Sequence, residues 1–313
     1  APAPTTAKGE VVNYNVARAK LLAQLAETAD GQDERDLWQR QRIDGITAAV
    51  QMDAYPNGLT ELAAIERQLT AANRSSALVS YVVFHRLAAE YNLKLQSADN
   101  ETRDAIQEDW VKSLEKFVSD YPQSDDAADA LLQLGVSQEF AGQSDTAKQW
   151  YERLVKEHPQ SPAAQRGSGA LRRLGLVGNP ITLAGSALGG GTLDTKAYRG
   201  KALAVIFWAT WCKPCTEELP QLLELYRQHR GDGFEVIGVN LDSPGAPIQK
   251  YIQDYKVPWP HIAEEGGLES RPAREFGIIT LPTMFLVDRQ GRVISSNISI
   301  EELKKQLPDV IKP

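Results

Sequence analysis

Apolar positions in residues 11–174 recur at helical spacing. Glycine and proline are sparse, and sets such as Val16, Leu21, Leu25 and Trp110, Leu114, Phe117 repeat every three to five residues. Breaks are predicted at 29–31, 55–58, 73–76, 97–100, 121–124, 142–145 and 158–162, where turn-forming residues interrupt the pattern. The pattern predicts an all-α domain over residues 11–175, preceded by a disordered or flexible segment, residues 1–10.

A short sequence echo lies near the end of this helical part. The run FVSDYPQSDDAADA begins at Phe117 and LVKEHPQSPAAQRG begins at Leu154, so that Pro-Gln-Ser recurs after 37 residues. Together with Leu131, Gly135 and Ala147, the spacing resembles the tetratricopeptide repeat, in which small residues let paired helices pack closely. Gln138 departs from that pattern. Repeat-like helical hairpins are therefore expected, with a plain helical bundle as the alternative.

From Ile181 onward the pattern changes to short β-rich runs that alternate with helical stretches. Strands are predicted at 181–184, 202–208, 235–240, 283–288 and 292–296. Helices are predicted at 215–230, 247–255, 270–276 and 301–310. Strand–helix–strand alternation followed by a hairpin at DRQGR, residues 288–292, predicts an α/β domain with a mixed sheet over residues 176–313.

Composition and charge narrow the class of protein. The 313 residues are 42% hydrophobic and carry a net charge of −7, with 19 basic against 25 acidic residues up to Gly175 and 15 against 16 after it. Neither part offers the basic stripe that a nucleic acid or an anionic lipid requires. The longest apolar run, 202–211, is half of a membrane span. The first residues have no features of a signal peptide, so any such leader is expected to lie outside this chain.

The two cysteines, Cys212 and Cys215, stand three positions apart in FWATWCKPCTEELP. A structural disulfide that closes so short a loop contributes only about 2 kcal/mol. A zinc site needs two more ligands, and the four histidines are scattered, so no metal is expected. A reversible dithiol/disulfide pair remains as the favoured interpretation, because C-x-x-C after a strand in an α/β context is typical of redox motifs.

The position of the pair assigns a role to each cysteine. A buried β-run delivers the chain to Cys212, and the helical pattern begins directly afterwards. Free backbone amides and the positive end of the helix dipole favour a thiolate there, and Lys213 adds a cation. Pro214 is tolerated in the first turn. We expect Cys212 to be the exposed attacking thiolate and Cys215 the less exposed resolving thiol.

Residues 176–313 resemble the thioredoxin fold, and specifically the TlpA/ResA-like thiol–disulfide oxidoreductases of bacterial envelopes. The resemblance rests on FWATWCKPC, FEVIGVNLD, FGIITLPTMFLVDRQGRVI and the preface GNPITLAGSALGGGTLDTKAYRGKALAVIFW. It implies an N-terminal β-hairpin extension, no cofactor besides the redox-active disulfide, and a periplasmic or otherwise extracytoplasmic location. It also implies a client protein that carries thiols or a disulfide, and an upstream membrane or soluble electron donor.

The resemblance carries further residues onto this sequence. Pro282, preceded by Leu281, matches the family's cis-proline that faces the disulfide and holds substrate backbone; an ordinary trans proline is the alternative. Pro220 matches a proline that kinks the active-site helix. Trp211 is expected to form a wall of the active-site surface. Lys213 either tunes the reduction potential or only solubilises the surface.

Glu218 matches an active-site glutamate of the ResA-like branch. Thioredoxin itself has a buried aspartate where this chain has Ile206, so a proton acceptor for Cys215 is still needed. Glu218 lies on the same helix face one turn after Cys215, whereas Glu217 points elsewhere and is expected to be solvated. The alternative for Glu218 is a solvated surface residue.

Two rival functions remain open from the sequence. The chain could be a helical-repeat adaptor whose thioredoxin-like module only docks peptides, although such a module need not keep both thiols. A thiol peroxidase would need a lone peroxidatic cysteine in a different Pro/Thr setting. The client, the direction of electron flow and the oligomeric state are not encoded in any motif of this sequence.

Overall fold

The computed structural model describes residues 8–72, 76–99 and 101–312. Helices fill the first part of the chain: α1 Lys8–Thr28, α2 Gln32–Gln51, α3 Gly58–Ala71, α4 Ser76–Gln96, α5 Arg103–Asp120, α6 Asp125–Phe140, α7 Ser144–Glu157 and α8 Pro162–Leu174. The predicted all-α character and its breaks are confirmed, apart from 73–75 and residue 100, which lie outside the described residues. Helix α1 already begins at Lys8, inside the segment 1–10 that was predicted to be flexible, and residues 1–7 are outside the described part.

Residues 1–143 form one compact unit. Helices α2, α3 and α4 enclose its apolar core, which contains Ile43, Ile46, Leu62, Leu78 and Val82, all at most 1% exposed. This burial follows the three-to-four-residue spacing of these side chains along each helix.

The repeated Pro-Gln-Ser segment forms the same kind of turn at both places. Ser124 and Ser161 are both helix N-caps in extended backbone conformation, and each Oγ accepts the amide of the third residue along, from Ala127 at 3.1 Å and Ala164 at 3.0 Å. Each serine satisfies one of the free N–H groups at the start of its helix. The same three letters therefore end one helix and start the next in the same way, as a helical repeat requires.

Residues 144–313 form the second compact unit. Its strands are β1 Ala184–Ser186, β2 Thr192–Asp194, β3 Ala202–Trp208, β4 Phe234–Asn240, β5 His261–Ala263, β6 Thr283–Val287 and β7 Val293–Ser295. Its helices after α8 are α9 Lys213–His229, α10 Ile248–Asp254, α11 Arg271–Glu275 and α12 Ile300–Val310. The main sheet has the order β5-β4-β3-β6-β7, with β3 parallel to β4 and antiparallel to β6, while β1 and β2 form a separate hairpin. The predicted mixed α/β sheet with a preceding β-hairpin is confirmed.

Strand β3 is buried on both faces and divides the core in two. Ala204, Ile206 and Trp208 pack with α9 and α12, whereas Val205 and Phe207 pack with the opposite layer that includes α11. The alternation follows from the two-residue period of a strand. A central strand covered on both sides explains why this stretch reads as a continuous apolar run.

Helix α8 belongs to the second unit because it packs against α11. Gly169 lies so close to α11 that an added Cβ would stand 2.1 Å from the Arg274 carbonyl oxygen, and Arg173 donates to the Phe276 carbonyl at 3.1 Å. The change of pattern predicted at 175–176 coincides with the end of α8, while the boundary between the units lies at 143–144. Secondary structure and packing thus change at different points of the chain.

The pattern of hydrophobic residues did not predict two of the strands. Strands β2 and β5 have only three residues each, and β5 begins with His261. The strand predicted at 181–184 forms at 184–186 instead. Ile181 and Leu183 are still buried in the core, but they precede the strand. No helix in the described part of the chain is both long and apolar enough to cross a membrane.

Candidate active site

The two cysteines form a disulfide at the start of α9. Cys212 is the N-cap of that helix, and its Sγ accepts the backbone N–H of Cys215 at 3.1 Å. The preceding strand β3 ends at Trp208, so only a short loop separates the central strand from the disulfide. The predicted strand–loop–helix placement of the pair is therefore confirmed, with the helix starting two residues earlier than expected.

The expected difference in exposure between the two sulfurs is wrong for the oxidised state. Cys212 is 3% exposed and Cys215 is 5% exposed. Both belong to the core cluster between α9 and the sheet, against which Leu281 also packs, and this packing covers them. Their neighbours Trp211, Lys213 and Pro214 are exposed, so the disulfide lies directly beneath the surface.

A buried carboxylate holds the loop that precedes Cys212. Asp242, 4% exposed, accepts the backbone N–H of Thr210 at 2.9 Å and its hydroxyl at 2.7 Å. Asn240 donates to the same carboxylate at 2.6 Å and accepts the Asp242 backbone N–H. A charged acceptor with several donors makes strong hydrogen bonds in a buried place. Asp242 therefore holds this loop in place by hydrogen bonds to the backbone N–H and the hydroxyl of Thr210.

The predicted cis-proline is present. The Leu281–Pro282 peptide bond is cis, and Pro282 immediately precedes β6. Because Phe207 pairs with Thr283, the start of β6 lies beside the end of β3 from which the chain continues to the disulfide. Leu281 and Pro282 are half-buried. The register thus brings the cis-proline to the same edge of the sheet as the cysteines.

The neighbouring residues Glu217 and Glu218 of α9 differ in burial. Glu217 is exposed and faces Lys213, with 3.6 Å between carboxylate and ammonium. Glu218 is half-buried, and burial raises the pKa of its carboxyl group above the ordinary value. Within the described residues no hydrogen bond or ion pair engages Glu218. A half-buried carboxyl with a raised pKa is suited to accepting and returning a proton.

The remaining predicted residues occupy the rim of the site. Trp211 is 58% exposed next to Cys212, and Lys213 and Pro214 occupy the first turn of α9. Pro220 lies inside α9, where it cannot donate to the helical ladder. An exposed tryptophan beside a disulfide is available for contact with a partner.

A small cavity lies beside Cys215. Its volume is about 20 Å³, and Ile206, Trp208 and His261 line it together with Cys215. The Trp208 indole donates to His261 Nδ1 at 3.1 Å. Gly238 makes room for this pair, since a Cβ at that position would stand 2.1 Å from Nδ1.

Sequence reasoning missed Thr210, Asp242 and His261. Asp242 does carry a signal, because a polar residue two positions after the buried strand β4 lies at the edge where a site can form. His261 carries none, since its strand is short and its partner Trp208 is 53 residues away in the chain.

Comparison with known proteins agrees with this geometry. Residues 179–296 match the AhpC/TSA family, and residues 129–161 match the tetratricopeptide repeat. The thiol-disulfide oxidoreductase ResA of Bacillus thuringiensis subsp. konkukian is 34% identical over 125 residues, which are 40% of this chain and 70% of that protein. The ResA of Geobacillus thermodenitrificans is 34% identical over 119 residues, 37% of this chain and 66% of that protein.

Among solved structures, a putative thiol:disulfide interchange protein DsbE from Chlorobium tepidum is similar. It is 24% identical, with a TM-score of 0.38, and the match covers 42% of this chain and 94% of that one.

Proposed function

The chain belongs to the ResA family of thiol–disulfide oxidoreductases, and from that premise we propose that Cys212 and Cys215 exchange a disulfide with client proteins through a mixed disulfide. The observation that carries the proposal is the position of Cys212 as N-cap of α9, with its Sγ accepting the Cys215 amide. The same amide and the helix dipole stabilise the thiolate that forms when the disulfide is reduced. The enzyme reading is favoured over the peptide-docking adaptor because the relatives are named as oxidoreductases.

The proposed reaction balances over two exchange steps. The Cys212 thiolate attacks one sulfur of a client disulfide, the client S–S bond breaks, and the departing client thiolate takes a proton. The Cys215 thiol gives its proton to Glu218, and the resulting thiolate attacks Cys212 Sγ. The mixed disulfide then breaks, the Cys212–Cys215 bond forms, and the second client sulfur leaves as thiolate. The client gains two electrons from the enzyme dithiol, and its two thiols take one proton from solvent and one from Cys215 through Glu218.

The other side chains of the site act by position. Asp242 holds the backbone of Thr210, which keeps the loop before Cys212 in place. Leu281 and Pro282 present the half-buried edge on which an extended client segment is proposed to lie. Trp211 offers an exposed aromatic surface beside the reacting sulfur.

The location and the partners form part of the same proposal. We place the protein in the periplasm or another extracytoplasmic space, where an upstream membrane or soluble donor returns electrons to the disulfide. The helical part binds the partner, since helical repeats build concave surfaces. The repeat match at residues 129–161 supports this role.

The decisive experiment compares single-cysteine variants. With an external dithiol, the wild-type protein reduces a protein disulfide, and Cys212→Ser abolishes turnover. Cys215→Ser accumulates a covalent mixed disulfide with the client, visible as a mass increase that a reductant removes. Unchanged turnover of Cys212→Ser, or no covalent adduct with Cys215→Ser, refutes the mechanism. A redox titration that finds no reversible couple would favour the adaptor.

A further inference from the structure

Tyr251 connects helix α10 to the turn of α9 that carries both cysteines. Its hydroxyl oxygen lies 2.9 Å from that of Thr216, the residue that directly follows Cys215. The Thr216 hydroxyl lies 3.4 Å from the Cys212 carbonyl oxygen, to which the Thr216 backbone N–H also donates at 3.2 Å. A chain of hydrogen bonds thus leads from α10 through Thr216 to the backbone of Cys212.

The direction of these hydrogen bonds follows from their last acceptor. A carbonyl oxygen can only accept, so the Thr216 hydroxyl donates its proton to Cys212 and accepts from Tyr251. Burial raises the pKa of Tyr251, which keeps its hydroxyl protonated near pH 7. The phenol ring packs against two others, with its centroid 5.0 Å from the Trp208 ring and 4.5 Å from the Tyr255 ring. Tyr251 is thus a donor held in a fixed position.

Pro220 makes this connection important for α9. Thr216 stands four residues before Pro220, so its carbonyl oxygen is the one that would accept the N–H that proline lacks. The first turn of α9, residues 213–216, is therefore joined to the rest of the helix by one backbone hydrogen bond fewer than in a regular helix. Tyr251 contacts α9 at the residue whose helical hydrogen bond is missing.

The disulfide and the Tyr251 hydrogen bond hold the same turn. In the oxidised protein the S–S bond joins positions 212 and 215 and restrains the turn covalently. Reduction breaks that bond, and the turn then depends on noncovalent contacts, the hydrogen bonds of Thr216 among them. The Cys215 N–H can stabilise a Cys212 thiolate only while the turn keeps its shape. The contact from α10 therefore contributes more to the stability of the reduced protein than to that of the oxidised protein.

We propose that Tyr251 is a positioning residue that selectively stabilises the dithiol form, because it holds the first turn of α9 through Thr216 after the disulfide has opened. Its hydroxyl thereby raises the reduction potential of the Cys212–Cys215 pair. Tyr251 itself transfers neither a proton nor an electron. The inference rests on the proposed function, since it concerns the same dithiol/disulfide couple.

The test is the equilibrium of the full chain with dithiothreitol, in the wild type and in Tyr251→Phe. In this exchange the enzyme S–S bond breaks, the ring disulfide of dithiothreitol forms, and two electrons pass to the enzyme. The two thiol protons of dithiothreitol go to the cysteines, or to solvent where Cys212 remains a thiolate. The reduced fraction is measured by acid quenching, alkylation and mass spectrometry.

Tyr251→Phe keeps the packed ring and removes only the donor. We expect the equilibrium constant for reduction of the enzyme to fall about fivefold, or about 20 mV in reduction potential. A fivefold change is the size of one ordinary hydrogen bond that acts in one redox state alone. An unchanged or increased constant in Tyr251→Phe overturns the proposal.

Two further positions locate the effect. Thr216→Val keeps the shape of the side chain, removes the hydroxyl that accepts from Tyr251, and should lower the constant as well. The double variant Tyr251→Phe/Thr216→Val should go no lower than Thr216→Val alone, because both changes remove the same contact. Tyr255→Phe, on the same helix, should stay within about 1.5-fold of the wild type. Additive shifts in the double variant, or an equal shift in Tyr255→Phe, overturn the proposal.

Hydrogen exchange followed by mass spectrometry separates this role from a purely structural contact. Peptides that cover the start of α9 should exchange faster in reduced Tyr251→Phe than in the reduced wild type, whereas the two oxidised proteins should agree within about twofold. Faster exchange to the same degree in both redox states indicates a structural contact only and overturns the proposal. A wild-type protein without a reversible couple would instead refute the proposed function.

Discussion

The packing of α8 against α11 makes the substitution Gly169→Ala costly. An added Cβ would stand 2.1 Å from the Arg274 carbonyl oxygen and 2.4 Å from the Gly277 nitrogen, both backbone atoms. Gly277 itself has φ +57 and approaches Ala170 equally closely, so it cannot yield easily. The two segments must therefore move apart by about an ångström, and overpacking of this kind costs about 1–3 kcal/mol.

The same helix offers a matched control. Gly167→Ala gains the same helix propensity, about 1 kcal/mol, but its Cβ would meet the end of the Leu154 side chain at 2.9 Å, which can rotate away. We therefore expect Gly169→Ala to be less stable than Gly167→Ala by about 2 kcal/mol. For a unit of this size the difference lowers the melting temperature by about 4–8 °C.

The assay is urea and thermal unfolding of both variants, followed by circular dichroism and tryptophan fluorescence. Helix propensity cancels in the comparison, so the difference reports the backbone contact of Gly169 with α11 relative to the side-chain contact of Gly167 with Leu154. Equal stability of Gly169→Ala and Gly167→Ala would refute the close backbone packing and the assignment of α8 to the second unit.

The remaining predictions concern the site. In urea titrations, Asp242→Asn should lower the free energy of unfolding by about 2 kcal/mol, because it removes a charged acceptor. Thr210→Val should lower it by about 1 kcal/mol, because it removes one hydroxyl donor. Wild-type stability of Asp242→Asn would contradict the anchoring role. Unfolded histidine binds a proton near pH 6.5, but folded His261 does so only near pH 4, so stability should fall by about 2 kcal/mol from pH 7.5 to pH 5. His261→Gln should lose that part of the pH dependence, and an unchanged slope would contradict the neutral buried ring. Glu218→Gln should slow turnover about 100-fold. It should also remove the decline of the turnover rate toward acid pH that the raised pKa of Glu218 produces, whereas Glu217→Gln should match the wild type. Equal rates for both variants would argue against Glu218 as proton acceptor.

Local pattern was sufficient for much of the fold. Strand β3 was predicted with its observed bounds because a strand buried on both faces is apolar throughout. The helical breaks were visible because capping residues such as Ser124 and Ser161 act on their own turn. The strand–loop–helix placement of Cys212 followed from the same local signals.

Features that depend on distant residues were not predictable. The place of α8 in the second unit depends on contacts between residues about 100 positions apart, and its small residues fit a helical repeat equally well. Asp242 and Thr210 are 32 positions apart, and Trp208 and His261 are 53 apart. The burial of Cys212 depends on packing between α9 and the sheet, which no motif reports.

The anchoring of the loop before Cys212 has a consequence for protein engineering. Asp242 holds the backbone and hydroxyl of Thr210, while the neighbouring indole of Trp211 projects into solvent. Because the scaffold there does not depend on the side chain at position 211, that position is a natural choice for saturation libraries that seek altered client preference without loss of the loop.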